Sequence, residues 1–269
     1  MDVGRYLDRI GAEWPAAASP TLDRLATLQR RHVLSVPFEN LDIVAGRPIP
    51  LDRAAYYGKV IERGRGGFCY ELNGLFAWLL DALGFDVRLV EGRVLEDHGF
   101  TPRFAHAAVL VDLGADGPPS SRSGWHLADV GFGRFARRPL PLTGEPRRDV
   151  EGTYRVRPLD DAGFEAQRRS DDGWTAAYQF TPDARVLGDF EDGLAWNVTS
   201  PDSAFTGRVL CTQATESGRV TLSTRGLTIT EDGERATREV APDERAAVLE
   251  AAFGLDVEGP LWLPDERPA

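Results

Sequence analysis

A cysteine stands where a glycine-rich stretch runs into a helical pattern: Arg63-Gly64-Arg65-Gly66-Gly67-Phe68-Cys69-Tyr70-Glu71. Free backbone N–H groups at a helix start favour nearby negative charge. A thiolate is such a charge, so the position predicts a lowered thiol pKa and a better nucleophile near neutral pH. The glycines would let a substrate carbonyl approach the backbone and leave N–H donors free for an oxyanion. The same pattern also reads as a small apolar residue packing a helix onto the core, a common place for a free cysteine.

A thiol nucleophile needs a base, and four histidines are available: His32, His98, His106 and His126. His106 lies in an apolar run from Phe104 to Val111, where a hydrogen-bonded core histidine is the plainer reading. His98 sits in Asp97-His98-Gly99, a turn sequence, and His32 and His126 have no special neighbours. The imidazole in turn needs an acid to orient it. Asp129 precedes Val130-Gly131-Phe132-Gly133 at a strand end. Buried there it would require a partner, and a histidine Nδ1–H would serve; an aspartate capping a glycine turn is the competing reading.

The surrounding elements follow from periodicity. Leu72, Leu75, Phe76, Leu79, Leu80 and Leu83 recur in steps of three and four, which predicts a helix over 69–83 ending at Gly84. Gly74 inside it carries a penalty of about 1 kcal/mol relative to alanine. Ser19-Pro20 predicts an earlier helix start. Beyond position 87 the pattern changes to short strands over 87–95, 105–113, 125–130, 153–156 and 174–180. Later strands are expected at 209–210, 220–222 and 227–230, then a helix opened by Pro242. Residues 114–124 read as a flexible loop, and the Pro-rich tail from 259 to 269 is assigned no structure. This order of helices, strands, and strands with a helix is α+β in two or three parts.

Composition narrows the function. The net charge of −11 repels a phosphate backbone, so nucleic acid is an unsuitable main partner. The stretch MDVGRYLDRIGAEW lacks the pattern of a secretion signal, and no apolar run is long enough for a membrane helix. A cytoplasmic setting is expected, with Cys69 and Cys211 both free thiols and Cys211 in the core. The cysteines and histidines never fall at zinc-ligand spacing.

Arg65-Gly66-Gly67-Phe68-Cys69-Tyr70-Glu71-Leu72-Asn73 resembles the Arg-Gly-Gly-x-Cys-x-Glu-x-Asn signature of the arylamine N-acetyltransferases. Val36-Pro37-Phe38-Glu39-Asn40-Leu41-Asp42, Asp129-Val130-Gly131-Phe132-Gly133 and the run from Trp196 to Phe205 are similar to three further segments of that family, in the same order. Tyr6-Leu7-Asp8-Arg9-Ile10 extends the likeness toward the start.

The resemblance implies a helical bundle (1–86), a central β-barrel (87–190) and a C-terminal α/β lid (191–269) around a cysteine-protease-like core. It places a catalytic triad on Cys69, His106 and Asp129. The long gap before Asp129 would be absorbed by the 114–124 loop. Phe38, Phe132 and Phe205 would line the aromatic substrate pocket, and Gly131 and Gly133 would let the pantetheine arm of the donor pass. Glu39 and Arg65 would form a structural ion pair. Arg134, Arg137, Arg138, Arg147 and Arg148 could meet the donor's phosphates but read more simply as a solvated face.

The implied activity is acetyl transfer from acetyl-CoA, through a Cys69 thioester, to an arylamine, arylhydrazine or N-hydroxyarylamine, with ping-pong kinetics and a place in xenobiotic metabolism. No metal is needed. A related amide synthase closing a macrolactam, and a Cys-His-Asp hydrolase, are alternatives that use the same three residues.

Overall fold

The computed structural model describes residues 1–114, 124–160, 163–257, 261 and 263. Nearly all of the 114–124 loop therefore lies outside the described residues, as does the tail apart from two leucines.

The first part is helical: α1 (Val3–Ile10), α2 (Leu22–Ser35), α3 (Leu41–Val44), α4 (Arg53–Tyr57), which runs into a π-helical turn at Gly58–Glu62, and α5 (Cys69–Ala82). Helix α2 begins two residues later than Ser19-Pro20 suggests. Its cap is Thr21, whose hydroxyl accepts from the Arg24 N–H at 3.3 Å, satisfying a donor that proline cannot. Helix α5 falls where the leucine spacing predicts, and it is buried on nearly all sides. Gly74 has a packing reason: a Cβ there would stand 3.1 Å from Leu187 and 3.4 Å from Tyr56. One short strand, β1 (Phe38–Glu39), interrupts the helices.

The second part is a nine-stranded antiparallel sheet. Its strands are β2 (Asp86–Glu96), β3 (Gly99–Phe100), β4 (His106–Asp112), β5 (Trp125–Leu127), β6 (Leu140–Pro141), β7 (Arg147–Asp149), β8 (Gly152–Pro158), β9 (Phe164–Ser170) and β10 (Gly173–Phe180). Their order is β6-β5-β4-β2-β10-β9-β8-β7, with β3 paired to β2, and β6 lies against β8 so that the sheet nearly closes into a barrel. Strand β4 is buried on both faces. Ala107, Val109 and Val111 meet the helices, while Ala108 and Leu110 fill the barrel interior. That explains its unbroken apolar sequence. Strand β5 stops at Leu127, short of the expected Val130, because the chain turns there to bring Asp129 inward. Strand β9 escapes a hydropathy reading: only Phe164 and Ala166 of its apolar residues alternate inward, beside Glu165, Gln167 and two arginines.

The third part joins a 3₁₀ turn at Leu187–Phe190 and α6 (Glu191–Thr199) to a five-stranded sheet of order β1-β11-β12-β13-β14, with β11 (Leu210–Ala214), β12 (Gly218–Ser223), β13 (Gly226–Glu231) and β14 (Glu234–Arg238). A 3₁₀ turn at Pro242–Glu244 opens α7 (Arg245–Phe253). Strand β1 thus belongs to the last sheet, pairing Phe38 with Thr212 and Glu39 with Cys211. Cys211 is buried there. The tail is not structureless throughout: Leu261 and Leu263 are buried beside Leu249 and Phe253, and buried Arg245 donates to the Leu261 carbonyl at 2.8 Å. A proline-rich composition hides two apolar anchors. Leu261→Ala is expected to lower stability by about 2–5 kcal/mol in urea unfolding, the range for emptying a buried leucine site.

Candidate active site

Cys69 is the first residue of α5, buried to 2% exposure. The segment before it fits only glycine. A Cβ on Gly66 would meet the Pro37 carbonyl at 2.3 Å, and one on Gly67 would meet Glu71 at 2.9 Å. Glu71 accepts from the Phe68 N–H at 3.0 Å and so closes the first turn of the helix. The thiol lies 3.9 Å from the Ala105 carbonyl. Its pKa is raised, contrary to the helix-start expectation. Burial dominates, and backbone hydrogen bonds from Ala107 and Tyr70 oppose it only partly. Desolvation therefore works against the helix terminus at this thiol.

His106 opens β4, and its Nε2 lies 2.8 Å from Asp129 Oδ2. The nitrogen facing the acid is Nε2, not the Nδ1 inferred from sequence. Asp129 is fully enclosed by donors. Tyr178 Oη bonds Oδ2 at 2.8 Å, while Asn73 Nδ2 and the Gly131 N–H bond Oδ1, each at 2.8 Å. Burial would raise the Asp129 carboxyl, but His106 and the bonds from Asn73 and Tyr178 outweigh it and hold the group below its ordinary range.

The His106 end of β4 is itself anchored. Phe104, two residues before it, has left-handed backbone at φ 65°, unusual outside glycine. Tyr70 Oη donates to the Phe104 carbonyl at 2.7 Å, and Asn197 Nδ2 donates to Ala105 O at 2.8 Å. Asn73 reaches the Ala107 carbonyl at 2.6 Å and accepts from the Val130 N–H at 2.9 Å. Asn73 lies within the signature run and Asn197 beside Trp196, yet neither they nor Tyr70 and Tyr178 stand out by residue type or spacing.

Cys69, His106, Gly131, Phe38, Phe132 and Phe205 line one cavity of about 240 Å³. Phe132 meets the His106 ring edge-on at 5.3 Å, and Phe38 and Phe205 pack at 6.0 Å. Gly131 is pressed onto the Cys69 backbone, since a Cβ would lie 3.0 Å from Cys69 Cα and 2.7 Å from Asn73 Nδ2. Gly133 is outside this cavity. It lines an adjoining cleft of about 480 Å³ with Phe38, Phe132, Arg134, Arg219, Arg235 and Glu151. Of the arginines read as solvated, Arg137 is buried instead. It bonds the Thr215 and Gly218 carbonyls and pairs with Glu151, fastening the barrel to the last sheet.

The other histidines stand apart. His32 is buried against Tyr6 and Phe76, and burial pushes its pKa down to about 3. His126 lies beside the Gly124 carbonyl at 3.0 Å, and His98 lines an outer cavity with Glu96, Asp97 and Asp202. Among the described residues no cluster of three or more His, Cys, Asp or Glu could hold a metal ion, and no helix is long and apolar enough to cross a membrane.

A buried thiol, an imidazole sharing its cavity and an enclosed carboxylate on that imidazole thus meet at one place. A family model described as N-acetyltransferase matches residues 21–262. The arylamine N-acetyltransferase of Mycolicibacterium smegmatis is 35% identical over 268 residues, covering 96% of this chain and 93% of that protein. The Mycobacterium marinum arylamine N-acetyltransferase, solved in complex with CoA, superposes with a TM-score of 0.81 at 33% identity, covering 95% of this chain and 93% of that one. A Bacillus cereus enzyme with a Cys-His-Glu catalytic triad superposes at 0.85 and 25% identity, covering 96% and 100%. The chain belongs to the arylamine N-acetyltransferase family, a family of acyltransferases with this α+β fold.

Asn73→Ala would strip a donor from Asp129 and orphan the Val130 N–H; a loss of about 1–3 kcal/mol is expected in chemical denaturation. The depressed Asp129 pKa contributes stability above the ordinary carboxylate range, and that contribution is lost as pH falls through the lower folded-state value. Asp129→Asn should therefore flatten the acid limb of thermal stability, read from melting curves between neutral and acid pH.

Proposed function

We propose that this chain acetylates arylamines and arylhydrazines from acetyl-CoA, with Cys69 as nucleophile, His106 as proton carrier and Asp129 as the group that holds the ring. The observation that carries the reading is the single cavity in which Cys69 and His106 face three phenylalanines. An apolar aromatic wall suits a flat aromatic acceptor. The adjoining cleft with Arg134, Arg219 and Arg235 suits the phosphates of a CoA donor, despite the negative net charge.

In the first half-reaction the thiol proton passes to His106 Nδ1 and the thiolate attacks the acetyl carbonyl. The negative oxygen is met by backbone N–H groups at the start of α5, that of Cys69 among them. The intermediate collapses, the bond to the CoA sulfur breaks, and His106 returns its proton to that sulfur. In the second half an uncharged arylamine nitrogen attacks the Cys69 thioester. His106 takes the proton from nitrogen, the amide forms, and the cysteine sulfur leaves and is reprotonated. The two halves require ping-pong kinetics.

Phe38, Phe132 and Phe205 hold the aromatic ring, and Gly131 and Gly133 give the pantetheine arm room at the backbone. The three parts 1–86, 87–190 and 191–269 supply the cysteine, the histidine with its aspartate, and the cover. A cytoplasmic setting keeps both free thiols reduced, and foreign aromatic amines are the natural acceptor class for an unspecialised apolar wall.

Protein mixed with acetyl-CoA alone is expected to carry one acetyl group on the Cys69 peptide in mass spectrometry, discharged on adding an arylamine. Cys69→Ala should abolish CoA release while leaving the circular dichroism spectrum unchanged. Acetyl-CoA hydrolysis that ignores added amine would contradict the transferase reading.

A further inference from the structure

Lys59 is the only lysine in the chain, and it is buried at 5% exposure. Lysine is almost never fully buried unless paired, and its ammonium loses strong hydration on entering the interior. Here it is met on three sides. Nζ lies 2.7 Å from Asp42, 3.0 Å from each carboxylate oxygen of Glu71, and 3.5 Å from Glu39. Arg65 supplies the second buried cation, 2.7 Å from Glu39 and 3.3 Å from Asp42, while half-exposed Arg47 touches Asp42 from outside at 3.5 Å. Two buried carboxylates and the half-buried Asp42 thus share two buried cations, and Lys59 is the one that reaches all three.

The cluster is tied to the nucleophile by short covalent paths. Glu71 sits two residues after Cys69 and accepts from the Phe68 N–H at 3.0 Å, with Lys59 holding the same carboxylate. Lys59 also acts through its backbone: its carbonyl accepts from the Arg65 N–H at 3.1 Å, four residues before Cys69. Glu39, on the other side, fastens the Leu41 N–H at 2.7 Å. The lysine is delivered by the π-helical turn Gly58–Glu62, in which Lys59, Val60 and Ile61 are all buried. Such turns are rare and occur often at functional sites. Without Lys59, Glu71 would stand in the core facing Glu39 and Asp42 with no cation of its own. The carboxylate that closes the first turn of α5 would lose its reason to stay in place.

We propose that Lys59 is a positioning residue for the Cys69 thiol, acting through Glu71 to fix the Phe68–Cys69 turn. It touches neither the substrate cavity nor the reacting atoms. The inference rests on Cys69 being the reactive thiol, so its test includes a readout that needs no acyl transfer.

The test compares the full chain with Lys59→Met, Glu71→Gln and the double variant, each checked for folding by circular dichroism. Cys69 is alkylated with iodoacetamide, and its labelling is followed separately from Cys211 by peptide mass spectrometry. Turnover of acetyl-CoA with an arylamine is measured alongside. A displaced nucleophile should lower kcat by about tenfold or more while leaving KM for acetyl-CoA within about twofold, with a parallel loss of alkylation rate. Because both residues act on one turn, the double variant should be no slower than the slower single variant.

Folded Lys59→Met protein that alkylates at the wild-type rate and keeps its kcat would overturn the inference. So would a folded double variant in which the two losses multiply. If wild-type Cys69 neither alkylates nor takes up acetyl from acetyl-CoA, the nucleophile assignment fails instead, which separates the two outcomes.

Discussion

The site depends on one buried carboxylate. An unpaired aspartate in this interior would take up a proton rather than stay charged. Asp129 avoids that because four groups bond it from four directions: His106 from β4, Asn73 from α5, Tyr178 from β10 and the Gly131 N–H from its own turn. A helix and two barrel strands are therefore joined at one side chain. The same bonds that keep the acid ionised set the orientation of the imidazole, and they align the helix carrying Cys69 with the strand carrying His106. Fold and chemistry are coupled at this point, so losing one donor weakens both.

A second junction controls what reaches the sulfur. Strand β1 leaves the helical part to pair with β11, which brings Phe38 to the cavity and puts Glu39 beside Arg65 and Lys59. Asn197 of α6 and Phe205 beyond it reach back over the opening, and Arg137 ties the barrel to the turn between β11 and β12. Cys69 thus lies between an ion cluster at the start of its helix and the aromatic rings that line its cavity. Burial raises the thiol pKa, and the imidazole of His106 shares the cavity with the sulfur.

Much of this was legible in sequence, though for different reasons. The leucine spacing of α5 and the apolar run of β4 are hydrophobic patterns, and both stand nearly where periodicity puts them. Strand β9 is hidden because its outward side chains are charged, and Leu261 and Leu263 are hidden among prolines. Cys69 stands at the start of α5, where the glycines before it put a helix start. His106 and Asp129 were not distinguishable from core and cap residues by local pattern, because their pairing joins a strand to a turn 23 residues away; only the family motifs singled them out. The Glu39–Arg65 pair implied by those motifs is present, but Lys59 carries no local signal, since a lone lysine reads as surface until its three carboxylates are seen together. The helix-start argument weighs the dipole and omits desolvation, which here pushes the thiol pKa up.

The direct measurement is the rate at which iodoacetamide alkylates Cys69 as a function of pH, followed by peptide mass spectrometry in the Cys211→Ala background, with and without Asp129→Asn. If the carboxylate on His106 is what lets the imidazole draw the proton from a buried thiol, the protein with Asp129 should be alkylated at neutral pH. The Asp129→Asn protein should reach a comparable rate only in strongly alkaline solution. Identical pH–rate profiles in the two proteins would contradict the central role of Asp129.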